Sequence, residues 1–555
     1  MSQQKFKSKD KASLQKLRGG YYTPRALALF ACKSVLDDST STILEPSFGD
    51  GNFMEACLEV INQKNINNAH LVGVELDSVE YEKGVERILA FNNTNTTFSF
   101  INKDFFNSFP QLKKSGIDCV VGNPPFIRFQ YFDEESRNTA FRYLYENHYK
   151  PTKLANAWSA FVQLSIALLK QGGKLSMVIP AELLQVKYAG ELRKRILTTF
   201  DKTTIIGFDK IVFPDILQEV VVLICEGKNS AKYNSQYPGS IRYISVRDGE
   251  ELTSLKLNNY EFQTADENLL NGHKWTSLYA KQDSVRKLVT VLDDNRIKEL
   301  GHFLSVNVGI VTGRNKFFVV DEETVNNYEL EKFTEPLVGK TSALTSHDFT
   351  VDDYESYKSE YPAKLLNLKG VHSDEFTEGL KQYIYEGESE NVHKGYKCRI
   401  RNTWYEVPSV YVSDGFLFRQ IYKYPLLVSN SSKLVCTDTI HRVRLKDKSI
   451  NMNRLALSFI NSLTFAWSEL YGRSYGGGVL ELEPREAEQL PIIYSDEISL
   501  NYDYVRSLLK AKSIDEVLDY VDEKILHQHL NLSWDLILEF RQVWKDLSSR
   551  RLNRA

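Results

Sequence analysis

Residues 118 to 126 read Asp-Cys-Val-Val-Gly-Asn-Pro-Pro-Phe, so an amide, two prolines and an aromatic ring follow an apolar triplet. The triplet predicts the end of a buried strand, and Gly122 lets the chain turn. Each proline fixes φ and removes an N–H donor, so the loop is stiff and presents oxygen atoms. The Asn123 amide and a backbone carbonyl could accept hydrogen bonds from an exocyclic amine while Phe126 stacks on its ring. Such bonds would draw the nitrogen lone pair out of conjugation; the alternative is a plain Pro-Pro turn.

A glycine-rich turn lies upstream, in the run Ile43 to Phe53 (Ile-Leu-Glu-Pro-Ser-Phe-Gly-Asp-Gly-Asn-Phe). The pattern predicts a strand, a turn and a helix, which lets backbone approach a nucleotide-like ligand at a helix N-terminus. It matches neither the P-loop nor the G-x-G-x-x-G fingerprint. A second strand, Leu71 to Asp77, ends in carboxylates of the kind that hold ribose hydroxyls. A third strand, Thr97 to Asn102, leads to Asp104-Phe105, a pair that could bond an adenine amino group and cover its ring.

In this order and spacing, these segments resemble the class I S-adenosylmethionine-dependent methyltransferases. Within that class they are similar to the gamma-order N6-adenine DNA methyltransferases of restriction–modification systems. The resemblance implies methyl transfer from S-adenosylmethionine to the N6 amine of a flipped-out adenine in double-stranded DNA. It implies a catalytic tetrapeptide of Asn123, Pro124, Pro125 and Phe126. Phe126 and Phe213, the latter in Ile211-Val212-Phe213-Pro214, would stack on the target base.

The resemblance also implies how the cofactor is held. The segment Tyr21 to Pro24 would close over the methionine part, and Glu45 to Gly51 would lie under the methionine and sulfonium. Glu75 would bind the ribose, and Asp104 with Phe105 would contact the adenine. The implied cofactor-binding residues are Tyr22, Thr23, Pro24, Glu45, Pro46, Ser47, Gly49, Gly51, Glu75, Leu76, Asp104 and Phe105.

Strand and helix patterns alternate to about residue 228, which indicates an α/β fold with a mostly parallel sheet covered on both faces. The strands predicted at Thr203 to Phe208 and Val220 to Glu226 are too close for a crossover helix, so one should be antiparallel. The resemblance implies a seven-stranded class I methyltransferase sheet. We expect a catalytic domain at residues 1–260, a mixed α+β target-recognition domain at 261–498 and a helical appendage at 499–555.

Basic residues interleaved with glycines and aromatics mark candidate DNA contacts in the second half of the chain, because such side chains suit phosphate and base-edge contacts. Three segments carry them, and the candidates are Arg314, Lys316, Arg399, Arg401 and Arg473. A solvated strand face or a packing turn is the alternative for each segment. The appendage ends in Arg550, Arg551 and Arg554, which could also touch DNA.

Composition agrees with a soluble, cytoplasmic enzyme: 42% of the 555 residues are hydrophobic and 25% are charged. The six cysteines include no C-x-x-C pair, so neither a metal site nor a disulfide framework is expected. No apolar run approaches the roughly 18 residues that span a bilayer, so no membrane partner is expected. The net charge of −3 requires that cations be unevenly placed if DNA is to bind.

Other functions share parts of the pattern. Cytosine N4 presents the same amine, and enzymes that methylate RNA bases or protein glutamines also use Asn-Pro-Pro-aromatic loops. A catalytically dead binding module is disfavoured by the intact Asn123 and Glu75. Pro214-Asp215 with Glu226-Gly227-Lys228 fits a loose nuclease pattern, but its residues fall on predicted sheet strands. The resemblance to enzymes of restriction–modification systems implies a separate cognate restriction endonuclease as the protein partner.

Overall fold

The structure is a computed structural model that describes residues 23–91, 96–152, 155–210, 219–229, 239–265, 274–475 and 477–553. The chain divides into two compact units. The first comprises Met1–Tyr279, Tyr475–Gly477 and Asn553–Ala555, and the second comprises Ala280–Ser474 and Gly478–Leu552. The main boundary thus follows Tyr279 rather than residue 260. The C-terminal helices belong to the second unit instead of forming a separate appendage.

The first unit is built on a single large sheet. Its strands are β1 (Thr42–Glu45), β2 (Ala69–Glu75), β3 (Thr96–Asn102), β4 (Ile117–Gly122), β5 (Leu169–Pro180), β6 (Phe200–Phe208), β7 (Val220–Lys228), β8 (Ser240–Val246) and β9 (Gln263–Thr264). They lie in the order β3-β2-β1-β4-β5-β7-β6-β8-β9. The first four strands and β5 pair in parallel.

The antiparallel strand predicted near the end of the sheet is present. β7 pairs antiparallel with both β5 and β6, because the connection from β6 is too short to carry a crossover helix. The sheet has nine described strands where seven are expected. The two further strands extend it past β6: β8 runs parallel to β6, and β9 runs antiparallel to β8.

Helices cover both faces of this sheet. They are α1 (Arg25–Val35), α2 (Asn52–Lys64), α3 (Ser78–Leu89), α4 (Phe105–Leu112), α5 (Glu134–Glu146), α6 (Ala157–Leu168), α7 (Glu182–Gln185), α8 (Gly190–Thr199) and α9 (Gly249–Ser254). Alternate residues of β4 face opposite sides, so Val120 joins the core that contains Trp158 of α6. Val121 joins the other core, with Met54 of α2.

One residue of the nuclease-like pattern, Lys228, has a structural role. Glu226 and Lys228 lie on β7, and Pro214 and Asp215 lie outside the described residues. Lys228 Nζ donates hydrogen bonds to the carbonyls of Ile166 at 2.8 Å and Ala167 at 3.4 Å, at the end of α6. Burial lowers the pKa of Lys228 to about 8. Lys228 therefore satisfies the last carbonyls of a helix.

The second unit is mixed α+β. Its strands are β10 (Ile297–Glu299), β11 (Leu304–Val308), β12 (Val319–Val320), β13 (Thr334–Val338), β14 (Lys364–Leu366), β15 (Gly415–Phe418), β16 (Gln420–Ile421), β17 (Leu427–Ser429), β18 (Val435–Cys436), β19 (Ile440–Leu445), β20 (Arg473–Tyr475), β21 (Val479–Glu481) and β22 (Pro491–Ile493). These form four small sheets, the larger two being β11-β19-β15-β17 and β12-β14-β13-β18.

Its helices pack between and around these sheets. They are α10 (Gln282–Val291), α11 (Leu300–Phe303), α12 (Asn315–Phe318), α13 (Glu322–Asn327), α14 (Val351–Lys358), α15 (Glu378–Ser389), α16 (Tyr396–Arg399), α17 (Met452–Ser458), α18 (Ser462–Tyr471), α19 (Pro484–Glu488), α20 (Tyr502–Lys510), α21 (Ile514–Asp522) and α22 (Trp534–Leu552). A π-helical segment, Glu523–His529, follows α21.

Buried ion pairs fix the last helix within the second unit. Arg551 of α22 is 3% exposed and donates to Glu469 of α18 at 2.6 and 3.1 Å. Arg541 of the same helix donates to the buried Asp522 at 2.9 Å. Removing one partner of such a pair would leave an uncompensated buried charge. The expectation that Arg551 could touch DNA is therefore wrong, and Arg554 lies outside the described residues.

All six cysteines are buried and free of disulfides. Within the described ranges, no group of three or more His, Cys, Asp or Glu side chains is arranged to hold a metal ion. No helix in the same ranges is both long and apolar enough to cross a membrane.

Candidate active site

A cavity of about 850 Å³ lies where β1, β2, β3 and β4 end. Its volume is typical of cofactor sites, and parallel sheets bind ligands at this edge. It is lined by eleven of the predicted residues, namely Thr23, Glu45, Pro46, Ser47, Gly49, Glu75, Leu76, Asp104, Phe105, Asn123 and Pro125. Among the other predicted residues, Pro24, Gly51, Pro124 and Phe126 are described but do not line it. Tyr22 and Phe213 lie outside the described residues.

The glycine turn between β1 and α2 forms the floor of the cavity. Gly49 and Gly51 have φ angles of +52° and +86°, a region that favours glycine. A Cβ on Gly51 would lie 3.2 Å from the carbonyl oxygen of Gly84 on α3. The turn therefore lies between the cavity and α3, and the backbone of the turn is close to any ligand bound in the cavity.

Glu45, the last residue of β1, has a buried carboxylate oxygen without a hydrogen-bond partner among the described residues. The residue is 4% exposed, and the oxygen is its Oε2 atom. Burial raises the pKa of Glu45 well above its usual range, and the nearby acidic side chains add to this effect. A cationic group bound in the cavity would supply the missing partner and favour the ionised carboxylate. The ammonium of a methionine moiety has the required chemistry.

Glu75, the last residue of β2, is held by backbone donors. Its Oε2 accepts from the Gly49 N–H at 2.9 Å, and its Oε1 accepts from the Asp77 N–H at 2.8 Å. Burial raises the pKa of Glu75, and the two backbone hydrogen bonds oppose that rise. Each carboxylate oxygen can accept a further hydrogen bond. The arrangement can therefore take two hydroxyl donors, as a ribose offers.

Asp104 joins two walls of the cavity. One carboxylate oxygen caps α4 by accepting from the Phe106 N–H at 2.6 Å, and the other accepts from Ser136 Oγ at 2.8 Å. The Phe105 ring is 3% exposed and stacks on Phe161, with 4.9 Å between the ring centroids. Ser136 and Phe161 also line the cavity, and no sequence pattern pointed to either of them.

The predicted catalytic loop follows β4 at the rim of the cavity. Asn123 Nδ2 donates to Thr23 Oγ1 at 3.0 Å, and Ser47 Oγ donates to the Asn123 carbonyl at 3.4 Å. Phe126 is half-buried and packs against both cores of the first unit. The loop is thereby fixed to the two segments that the resemblance assigns to the cofactor.

Asn156 and Glu182 hold the chain just after this loop, and sequence analysis missed both. Asn156 Oδ1 accepts from the Phe129 N–H at 2.9 Å, and its Nδ2 donates to Glu182 at 3.0 Å. Glu182 also accepts from the Tyr188 hydroxyl at 2.6 Å. Glu182 lies just beyond the end of β5, so the search for polar residues at strand ends could have found it.

The predicted DNA contacts of the second unit separate into two groups. Arg401 donates to the carbonyls of Val311 at 3.0 Å and Thr312 at 2.7 Å. Arg473 donates to Glu486 at 3.0 Å. The guanidinium groups of Arg401 and Arg473 thus form hydrogen bonds within the protein rather than facing solvent as free cations.

The remaining cations form what we call the basic surface, defined as Arg314, Lys316, Lys397 and Arg399. All four are exposed, and none forms an ion pair or a side-chain hydrogen bond with another residue in the described part of the chain. Gly313, with φ +84°, packs so closely on α16 that a Cβ there would lie 2.8 Å from Lys397 Cβ. This contact brings the turn before α12 beside α16. Lys397 is the member that sequence analysis did not single out.

Comparison with known proteins gives matches over most of the chain. Residues 8–307, more than half of the chain, match the family model described as N-6 DNA Methylase. Residues 272–526 match the model described as Type II methyltransferase M.Eco57I, C-terminal domain.

Individual relatives are distant in sequence. Type II methyltransferase M.AccI of Acinetobacter calcoaceticus is 24% identical over 538 residues, which cover 91% of this chain and 92% of that protein. Type II methyltransferase M.HindII of Haemophilus influenzae is 24% identical and covers 66% of each chain. Among solved structures, the Type IIL restriction-modification enzyme MmeI in complex with DNA aligns with a TM-score of 0.49 and 12% identity. That alignment covers 97% of this chain and 72% of MmeI.

The carboxylate of Glu75 gives a test of the cofactor site. Glu75→Ala should weaken S-adenosylmethionine binding by at least about tenfold, because charge-assisted hydrogen bonds to the ribose hydroxyls are lost. Isothermal titration calorimetry measures this directly. Glu82→Ala, which removes an exposed carboxylate from α3, is the matched control and should bind as the wild type does. Equal affinities in all three proteins would place the ribose elsewhere.

Proposed function

The chain belongs to the N-6 DNA methylase family, and from this premise we propose that it methylates the N6 amine of a specific adenine in duplex DNA. S-adenosylmethionine is the methyl donor. The observation that carries the proposal is the Asn123–Phe126 loop, which is fixed at the rim of a cofactor-sized cavity.

The cavity residues fit the cofactor by charge and by hydrogen-bonding capacity. Glu45 would take the methionine ammonium, because its Oε2 atom is buried without a described partner. Glu75 would take the ribose hydroxyls on the lone pairs that Gly49 and Asp77 leave available. The bound cofactor supplies an electrophilic methyl group. The task of the protein is therefore to hold the amine nitrogen near that group.

Asn123 would prepare the amine for attack. The adenine N6 lone pair is conjugated with the ring, which makes it a weak nucleophile. Hydrogen bonds from the amine N–H groups to Asn123 Oδ1 and to a neighbouring backbone carbonyl would favour a tetrahedral nitrogen with a localised lone pair. Pro124 and Pro125 keep the backbone from adjusting during this change. Preorganised acceptors of this kind lower the barrier without reorganisation at the moment of reaction.

The target adenine must leave the DNA stack to reach Asn123. Base flipping costs a few kcal/mol, and stacking on an aromatic ring returns roughly 1–3 kcal/mol. Phe126 would supply one stacking face, consistent with its half-buried position beside the catalytic amide. Phe213 remains the predicted second face, and its position lies outside the described residues.

The second unit would bind the DNA backbone through the basic surface. Four exposed cations without described anionic partners can neutralise phosphates, which is the main source of affinity in protein–DNA binding. Arg401 and Arg473 would instead keep the surrounding loops in place. A separate cognate restriction endonuclease that cuts unmethylated sites is the protein partner included in this proposal.

Asn123→Ala should abolish methyl transfer while leaving cofactor affinity within about threefold of the wild type. The variant removes the amide acceptor but not the carboxylates of Glu45 and Glu75. Transfer of tritium from labelled S-adenosylmethionine to DNA measures the activity, and calorimetry measures the affinity. Activity within about tenfold of the wild type, roughly 1.4 kcal/mol of barrier, would contradict the catalytic role.

Replacing Arg314, Lys316 and Arg399 together with alanine should weaken DNA binding and flatten its salt dependence. Each lost phosphate contact lowers the slope of log K against log salt by about 0.9, so three contacts account for about 2.7. Fluorescence anisotropy with one duplex at several salt concentrations gives both quantities. Lys381→Ala is the control, because Lys381 is an exposed cation of the same unit that pairs with Glu378 at 2.7 Å. A triple variant with the control's affinity and slope would show that these three cations do not contact the DNA backbone.

A further inference from the structure

Thr23 contacts two functional segments of the first unit at once. It is 5% exposed and lines the cavity just before α1. Its Oγ1 accepts a hydrogen bond from Asn123 Nδ2 at 3.0 Å. Its main-chain carbonyl accepts from Asn52 Nδ2, at the start of α2 and next to the glycine turn. One residue thus links the catalytic amide to the loop that forms the floor of the cofactor site.

The orientation of the Asn123 amide matters because its two ends have opposite roles. Oδ1 accepts hydrogen bonds, whereas Nδ2 only donates them. The substrate amine is a donor, so catalysis needs Oδ1 to face it and needs Nδ2 to find an acceptor elsewhere. A rotation of about 180° around the last side-chain torsion would present a donor to a donor. Thr23 Oγ1 provides the acceptor that the productive orientation requires.

The position of Thr23 is itself fixed by the packing of α1 on α2. Arg25, in the first turn of α1, donates to Glu55 and Glu59 of α2 at 2.5 Å. Arg87 of α3 bonds the same Glu55 and also Asp50, at 3.0 Å, so the pairs form a network. Thr23 precedes this turn, and its own carbonyl accepts from Asn52 of α2. These contacts place its hydroxyl 3.0 Å from Asn123 Nδ2.

We propose that Thr23 is a positioning residue that sets the orientation of the Asn123 amide and couples it to the cofactor site. The inference rests on the proposed function, in which Asn123 accepts from the target amine. It assigns the Thr23 side chain to the catalytic step, in addition to the cofactor contact that the resemblance implies for this segment. The hydroxyl acts through Asn123 and need not touch the DNA base.

Three substitutions separate this role from a structural one. Thr23→Val keeps the shape of the side chain but loses the acceptor, Thr23→Ala loses both, and Thr23→Ser keeps the hydroxyl. We expect the single-turnover rate constant of methyl transfer to fall by at least about tenfold in the Val and Ala variants and to stay within about threefold in the Ser variant. The dissociation constant of S-adenosylmethionine should change by clearly less than the rate does in the Val and Ala variants, because the Thr23 backbone and the carboxylates of Glu45 and Glu75 are kept. Thermal unfolding of each variant identifies any that fail to fold, and Ala replaces Val if Val does not fold.

The experiment measures single-turnover methyl transfer to an unmethylated duplex that carries the recognition sequence, together with calorimetric cofactor binding. Wild-type rates in the Val and Ala variants would overturn the proposal. A loss of cofactor affinity as large as the loss of rate would overturn it too, because Thr23 would then be a cofactor ligand only. An equal loss in the Ser variant would show that the hydroxyl is not the relevant group. Failure of the proposed function is distinct, since the wild-type enzyme itself would then transfer no methyl group to adenine.

Discussion

The parallel pairing of β1 with β2 on one side and β4 on the other is the constraint on which the site depends. The register aligns Glu45 with Gly73, two residues before Glu75, and aligns Leu44 with Val120, three residues before Asn123. Because parallel strands end at the same edge of a sheet, the side chains that follow each strand lie close together at that edge. A shift of one residue in this register would turn the carboxylates to the other face of the sheet.

The convergence explains why this edge accumulates groups with perturbed protonation. The pKa values of Glu45 and Glu75 are both raised by burial, and the two carboxylates differ in their hydrogen-bond partners. Backbone N–H groups stabilise Glu75, while Glu45 lacks a described partner for one oxygen. The site is thus prepared for a ligand that brings a cation to one carboxylate and hydroxyls to the other.

The residues that line the cavity could be predicted in part because the signals for them are local. Strand ends, positive-φ glycines and a proline-stiffened loop are properties of short segments, so Glu45, Gly49, Glu75 and Asn123 could all be placed in advance. Contacts between distant segments could not. The hydrogen bonds from Asn123 to Thr23 and from Asn156 to Glu182 depend on tertiary packing. The extra strands β8 and β9 also depend on tertiary packing, because the pairing of β8 with β6 and of β9 with β8 is not visible in either segment itself.

The same limit applied to the charged residues of the second unit. An arginine in a basic, aromatic segment has one sequence signature whether it faces solvent or bonds carbonyls, and only the fold separated Arg314 from Arg401. For Arg551, a terminal cluster of positive charge suggested DNA, yet its guanidinium forms a buried pair with Glu469. Whether a cationic side chain faces solvent therefore has to be read from the structure, whereas a glycine turn can be predicted from the sequence.

The central claim is that the fixed Asn123 loop directs methylation to adenine N6 at a defined sequence. Single-molecule sequencing of modified bases, in DNA from a methylation-free host that expresses this chain, tests it most directly. We expect N6-methyladenine at one recurrent sequence. N4-methylcytosine at such a sequence, or DNA without any new modified base, would contradict it.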